Sequence, residues 1–222
     1  MSNNVTVSAL FDLHCTAASA QLAALTYPWE ALPLIGKWVL EIGKDLPHAE
    51  YDEIAPNVWV AKSAVVAPSA LIEGPAIIGP RTQVKHCAYI RADVLIGADA
   101  VVGNSTEVKN AILFDGVQVP HFNYVGDSIL GRYAHLGGGA LLSNFRSDHG
   151  EITVRACSGD FKTGRNKVGA FIGDYAEIGA GAVLNPGSVI GRRAVVYPLG
   201  LVRGEVPAQS IYKKQGEIVK RK

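Results

Sequence analysis

An aliphatic side chain recurs every sixth residue along most of this chain, and few folds accommodate that period. The first run is Ile54, Val60, Val66, Ile72, Ile78, Val84, Ile90, Ile96, Val102 and Val108; a second is Leu130, Leu136 and Leu142; a third is Ile172, Ile178, Leu184, Ile190, Val196 and Val202. Two residues earlier the side chain is usually small, as at Ala64, Ala70, Ala76, Thr82, Ala88, Ala100 and Thr106, and again at Ala170, Ala176, Ala182, Ser188 and Ala194. A six-residue period matches neither a helical turn nor the alternation of a lone strand, so each hexad reads as one short strand and its corner in a solenoid. Three hexads close a triangular coil. The aliphatic side chains then stack inward from coil to coil, and the small residue lets the backbone bend. The period predicts an all-β fold, a parallel β-helix of hexapeptide repeats.

Residues 1–52 do not follow the hexads. AASAQLAAL and PWEALPLIGKWVLEIGKDL have helical spacing, with Pro28 at a helix start and Leu32, Ile35, Val39 and Ile42 on one apolar face. Two short helices are expected there, packed as a cap on the end of the solenoid and anchored by Trp29 and Trp38, because a solenoid's terminal coil needs covering. The β-helix is expected over residues 53–206, with a tail of basic character at 207–222. Between Val108 and Leu130 the rhythm continues through Leu113, Val119 and Val125 but slips by one residue on each side. Such a slip costs packing and tends to survive where function needs a displaced side chain. From 143 to 168 the repeat breaks altogether into SNFRSDHGEITVRACSGDFKTGRNKV, which reads as an extruded loop with a short hairpin around Glu151 to Arg155. Long loops on rigid scaffolds commonly carry function.

Lys plus Arg (21) nearly balance Asp plus Glu (20), for a net charge of +1, so neither a nucleic acid nor a membrane surface is an expected partner. No basic-then-apolar leader opens the chain and no apolar run approaches bilayer length. A cytoplasmic protein is the expectation. Cys15, Cys87 and Cys157 stand far apart with no CxxC pair, and read as reduced thiols in structural roles.

Polar groups that interrupt the inward rhythm are the candidates for chemistry. Arg91 and Lys109 each follow a hexad position, Ile90 and Val108, and stand one coil apart, which brings them within about 4.8 Å, one strand spacing. Like charges so close repel unless an anion bridges them, so one reading is a phosphate site in which Arg grips two oxygens and Lys supplies a point charge. The other is a pair of surface cations, or salt bridges to Glu107 or Asp93. His121, in PHFNYVGD, offers an imidazole able to take a proton from an attacking amine or hydroxyl; it also reads as a histidine satisfied by a backbone carbonyl. No GxSxG elbow is present.

The stretch VVGNSTEVKNAILFDGVQVPHFNYVGDSILGRYAHLGGG, followed by SN and later by GRNKVGAFIGD, resembles the acetyltransferase half of the bifunctional bacterial and archaeal enzymes that make UDP-N-acetylglucosamine. The resemblance covers roughly residues 54 to 206, and chains with this hexad signature resemble the left-handed parallel β-helix acyltransferases, from which the expected handedness comes. It implies an acetyl-CoA-dependent acyltransferase, most specifically one that N-acetylates an amino-sugar phosphate such as glucosamine-1-phosphate. His121 would be the general base and Asn144 would orient substrate or thioester. Arg91 and Lys109 would hold the sugar phosphate, Tyr124 would contact the sugar, and Lys167 would reach the pocket from a neighbouring subunit. The pantetheine arm would pass Ala180 and Pro198. Several positions depart from the family: His135 stands where the bacterial enzymes have asparagine, and Phe145 replaces the tyrosine after the loop asparagine. The loop lysines of the archaeal members fall at Gly150 and Thr153, and the arginine expected near the nucleotide end of coenzyme A falls at about Gln215, with Lys213 and Lys214 close by. The departures keep two alternatives open: acylation of another sugar or nucleotide sugar, and a non-catalytic trimeric protein that binds sugar nucleotides. Fewer than 55 residues precede the repeat, with no glycine-rich nucleotide loop, so uridylyl transfer is not expected. The resemblance further implies a homotrimer with coenzyme A between two solenoids. A related branch, the gamma-class carbonic anhydrases, holds a metal on three histidines; His86 and His121 lack the third, since position 126 is glycine, and no metal is expected.

Overall fold

From Val58 onward the chain winds in flat coils of three short strands, each hydrogen-bonded in parallel to its equivalents one coil before and after. The structure, a computed structural model, describes residues 4–214 and 216–221. One inward column runs Val60, Ile78, Ile96, Leu113, Leu130, Ile172, Ile190 and Val206. A second runs Ile72, Ile90, Val108, Val125, Leu142, Leu184 and Val202. The third contains Val66, Val84, Val102, Val119, Leu136, Ile178 and Val196 and ends on Tyr212. All are buried except Val66 and Ile72 in the first coil. These are the hexad positions, with one correction. Ile54 lies in the strand Tyr51–Ala55, which runs antiparallel to Val58–Ala61 after a reversal at Asn57 (φ 59°), so its side chain faces solvent.

The register slip has a definite geometry. The coil step is eighteen residues from Ile78 to Ile96, seventeen from Ile96 to Leu113 and again to Leu130, then forty-two to Ile172, and eighteen to Ile190. The shortened corners are at Asn110 (φ 44°) and Asp127 (φ 48°), at the far end of the face that His121 opens, so the slip is not centred on the histidine. Asn110 donates to the Asp127 carboxylate at 2.7 Å, a polar rung that joins the two tightened corners.

The N-terminal segment forms three short helices, α1 (Val7–Leu10), α2 (Ser19–Ala23) and α3 (Ile35–Lys44), with single 3₁₀ turns at Leu13–Cys15 and Pro28–Glu30. Pro28 therefore opens a 3₁₀ turn and not one of the two short helices expected. The expected end cap is a sheath instead, because α3 lies along one prism face against Ala76–Ile78, Val94–Ile96 and Glu107–Leu113. The reason is in the outward residues of that face: Trp59, Ile77, Leu95, Ile112, Ile129, Phe171 and Val189 are apolar and stack at the coil period, and bare they would leave a continuous apolar strip in water. All are buried under the segment and the hairpin described next. Trp29 stacks on Tyr27 (4.5 Å between centroids) and meets Phe171 (6.0 Å), Phe11 meets Phe114 (5.2 Å), and Gly43 is required where a Cβ would come within 2.3 Å of the Trp59 ring. Asp174, almost fully buried, accepts backbone N–H bonds from Asp12 (2.7 Å) and Arg132 (2.8 Å) and so ties sheath to solenoid; burial pushes its carboxyl above the usual range, opposed by the Arg132 N–H and by Arg192.

The excursion after Leu142 carries an antiparallel hairpin, Thr153–Ala156 with Gly159–Lys162, later in the chain than expected. It folds back: Ile152 and Val154 are buried, and Phe161 packs on Tyr27 and Trp29. Nor does the tail leave the repeat. Ser210–Lys214 pairs in parallel with Val195–Val196, and Glu217–Lys220 pairs back on it antiparallel, since Tyr212 continues an inward column and an outer strand covers the exposed edge. Gln215 is outside the described residues. Of the three thiols only Cys15 is buried, and burial pushes its thiol up; Cys87 and Cys157 are exposed, which does not suit a structural role.

If the sheath buries this face, Phe171→Ala should cost about 3–5 kcal/mol, whereas truncation of the solvent-facing Ile54 to Ala should stay within about 0.5 kcal/mol. Denaturant midpoints measure both; equal losses would contradict the sheath.

Candidate functional site

Arg91 and Lys109 flank the paired residues Ile90 and Val108 and stack one coil apart, as their spacing requires. In this chain each also faces a carboxylate. Arg91 Nη1 donates to Glu107 Oε1 at 2.9 Å, and Lys109 Nζ stands 3.7 Å from Asp127 Oδ2. Asp127 is almost fully buried and further accepts from the side-chain amides of Asn110 and Asn144. Asn144 also donates to the Tyr124 hydroxyl at 3.1 Å. That hydroxyl lies over Gly126, where a Cβ would come within 2.5 Å of it, so only glycine leaves room between the lysine column and the tyrosine. Burial first, then Asp127 and Glu107, push the Tyr124 phenol up, so it stays protonated and can donate toward a ligand. Lys109, Asp127, Asn144 and Tyr124 are thus one connected network.

His121 opens the same face from its other edge. It ends the strand Gln118–His121, turns through Phe122 (φ 53°) and leads into Tyr124–Leu130; about 7 Å of strand separate Tyr124 from Gly126. The imidazole is exposed and lies against Gly138, where a Cβ would approach its Cδ2 to 3.0 Å. What holds this corner is Asn123, which occupies a slot that most coils fill with alanine, serine or threonine. Its buried amide accepts from the His121 N–H (3.1 Å) and donates to the carbonyls of Gly137 (2.8 Å) and Ala140 (3.1 Å).

From this corner a groove of about 490 Å³ runs along the solenoid axis, lined by His135, Gly137, Ala180, Val195, Tyr197 and Pro198 among others. Its floor climbs coil by coil from the histidine: Gly139 N–H donates to the His121 carbonyl, Gly181 to Gly138, and Leu199 to Ala180. Ala180 and Pro198 therefore stand above His121 on one line. His135 belongs to the groove and not to the Tyr124 network, with its Nδ1 2.9 Å from Glu177 Oε2. Phe145 and Lys167 form a backbone bridge, the ammonium 6.0 Å from the ring centroid, within one chain and beside Asn144. Gly150 and Thr153 lie in the excursion; Lys213 and Lys214 end the last parallel strand, Ser210–Lys214.

The sequence reading missed Asp127, Asn110, Asn123 and Phe122. Asn123 had a visible signal, an amide in the small-residue slot; Asp127 was hidden because its partner lies seventeen residues away, not eighteen. Asp93, weighed as a partner of the two cations, sits instead against the start of α3, where a Cβ on Gly36 would come within 2.2 Å of its Oδ1. Burial pushes its carboxyl up, with Lys109 opposing and Asp127 adding. Among the described residues no three His, Cys, Asp or Glu side chains are grouped to hold a metal ion, and no helix is long and apolar enough to cross a membrane.

Residues 72–158 match the family described as GMPPB C-terminal domain. The bifunctional sugar-1-phosphate nucleotidylyltransferase/acetyltransferase of Sulfurisphaera tokodaii is 30% identical over 190 residues, 84% of this chain and 47% of that protein. The bifunctional protein GlmU of Methanococcus maripaludis strain C5 is 30% identical over 211 residues, 93% of this chain and 51% of that protein. The putative uncharacterized acetyltransferase YaiX of Escherichia coli K12 is 28% identical over 228 residues, 95% of this chain and 96% of that one. A solved putative acetyltransferase from Bacillus cereus aligns with a TM-score of 0.41 at 18% identity, over 73% of this chain and 76% of that chain. The fold and these relatives define a left-handed β-helix of the hexapeptide-repeat acetyltransferase class. Within that class, the chain is similar over most of its length to one part of the GlmU-type bifunctional proteins. It spans about half the length of the bifunctional relatives it matches.

Replacing Asn123 by Ala should take away the partner of the His121 N–H and the side-chain donor to the Ala140 carbonyl, and cost about 1–3 kcal/mol, read as a lower thermal midpoint. Asp93 yields a pH test. Because its folded-state carboxyl is raised, the folded chain takes up this proton at a higher pH than the unfolded chain. Acidification from neutrality toward the ordinary carboxylate range should therefore add stability, which is lost as pH rises again; in Asp93→Asn this increment, followed by thermal melts, should be absent.

Proposed function

We propose that this chain transfers an acetyl group from acetyl-CoA to the amine of an amino-sugar phosphate, with glucosamine-1-phosphate the first acceptor to test and His121 as general base. One observation carries the reading: His121 stands between an apolar groove along the axis and a face that ends in Tyr124, Asn144, Lys109 and Arg91. An extended thioester arm suits the groove past Ala180 and Pro198, and a sugar phosphate suits the face. The relatives named for sugar-1-phosphate nucleotidylyl and acetyl transfer support an acceptor that is a sugar phosphate or nucleotide sugar.

In this reading the acceptor nitrogen attacks the thioester carbonyl while the imidazole takes its proton. The tetrahedral adduct then collapses, the carbon–sulfur bond breaks, and the imidazolium returns the proton to the departing thiolate. Tyr124 and Asn144 orient the sugar, and Phe145 and Lys167 close the side. For Arg91 and Lys109 to hold the phosphate, it must compete with Glu107 and Asp127, which offset the cations when no ligand is bound. Exposed apolar side chains on the two unsheathed faces, among them Val65, Leu71 and Leu201, suit burial in a homotrimer.

His121→Ala should lower release of the coenzyme A thiol by roughly 10²–10⁴-fold, measured with a panel of amino sugars with and without phosphate. Near-parental rates in the variant would reject the base, and equal use of unphosphorylated sugars would reject the role of Arg91 and Lys109.

A further inference from the structure

A second cleft, of about 430 Å³, opens where the excursion folds back over the last coils. Three guanidinium groups, Arg146, Arg155 and Arg203, line it together with one carboxylate, Asp148. Arg146 and Asp148 satisfy each other: Arg146 Nε donates to Asp148 Oδ1 at 2.8 Å, and Nη1 donates to the Glu151 carbonyl at 2.9 Å. Among the described residues, Arg155 and Arg203 have no carboxylate partner.

The backbone brings these two together. Gly204 (φ 87°) lies directly under Arg155, where a Cβ would come 2.9 Å from the Arg155 carbonyl oxygen and 3.4 Å from its Cβ. The hairpin cannot drift from this position easily, because Ile152 and Val154 are buried and the Cys157 N–H donates to Glu205 at 2.7 Å. Two arginines that the backbone sets side by side, neither in an ion pair, favour an anion between them. Their combined charge matches a doubly charged phosphate better than a single carboxylate, and guanidinium forks suit phosphate oxygens. Ser143 and Thr153 add hydroxyls to the same walls.

The cleft is distinct from the Arg91 and Lys109 pair. Arg203 stands in their column, which continues from Lys109 through Gly126, Ser143 and Asn185. Four coil steps separate Lys109 from Arg203, about 19 Å at one strand spacing per coil. No single phosphate reaches both. We propose that the cleft is a second oxyanion site that holds the phosphate or diphosphate group of a small molecule through Arg155 and Arg203.

Calorimetric titration of the full chain with inorganic pyrophosphate tests this in a background where Arg91→Gln and Lys109→Gln have removed the other cations. One saturable site is expected, weakened by added salt. Arg155→Gln and Arg203→Gln should each weaken it about tenfold or more, and Arg155→Lys should restore part of the loss. Absence of binding, or equal binding by the glutamine variants, would overturn the proposal. Competition by UDP would assign the bound group to a nucleotide diphosphate, and competition by coenzyme A would assign it to the donor; either outcome supports the site. The readout needs no turnover, so it stands or falls apart from acetyl transfer.

Discussion

Parallel backbone hydrogen bonding between successive coils is the constraint on which everything else in this molecule rests. Each bond fixes which residues share a column, and each column is then repeated at one strand spacing, about 4.8 Å. Inward columns must be apolar because they have no water and no partner but one another. Outward columns are free to vary, and the molecule uses that freedom differently on each face. One is sheathed, one carries Tyr124 and the cations, and one carries the groove beside His135.

The sheath shows how strongly burial governs the arrangement. Its residues form only short helices that would not persist alone in water. They are held by large side chains standing on the solenoid, Trp59 and Phe171 above all, and by polar ties at buried carboxylates such as Asp174. Those carboxylates are desolvated, which is unfavourable for their charged form, yet each also satisfies N–H groups that would otherwise be left without partners.

Much of this was legible from the sequence. The hexads located the inward columns and the coil length, and the spacing of Arg91 and Lys109 correctly stacked them. The inward hexads alone imply only an end cap; the signal of a sheath lies in the residue before them. In every third hexad that preceding residue is large and apolar, as in AIIG, VLIG, SILG and AFIG, and this longer period identifies the covered face. The ion pairs of the two cations were harder to see. Whether Arg91 turns to Glu107 or to a ligand depends on side-chain torsions that spacing does not determine, and Asp127 came into reach of Lys109 only because two corners lost a residue. Asn123 was legible in principle, since its slot normally excludes an amide.

The forty-two-residue step between Leu130 and Ile172 leaves the stack in register on either side. Coils below and above the excursion pair as neighbours, so the scaffold is indifferent to how many residues lie between. Loop length enters folding free energy only logarithmically. The wall that the excursion lends to the Asn144 and Arg155 pockets can therefore be lengthened, shortened or exchanged without redesign of the prism. In such a chain, ligand preference can diverge while the coils, and the histidine they position, stay unchanged.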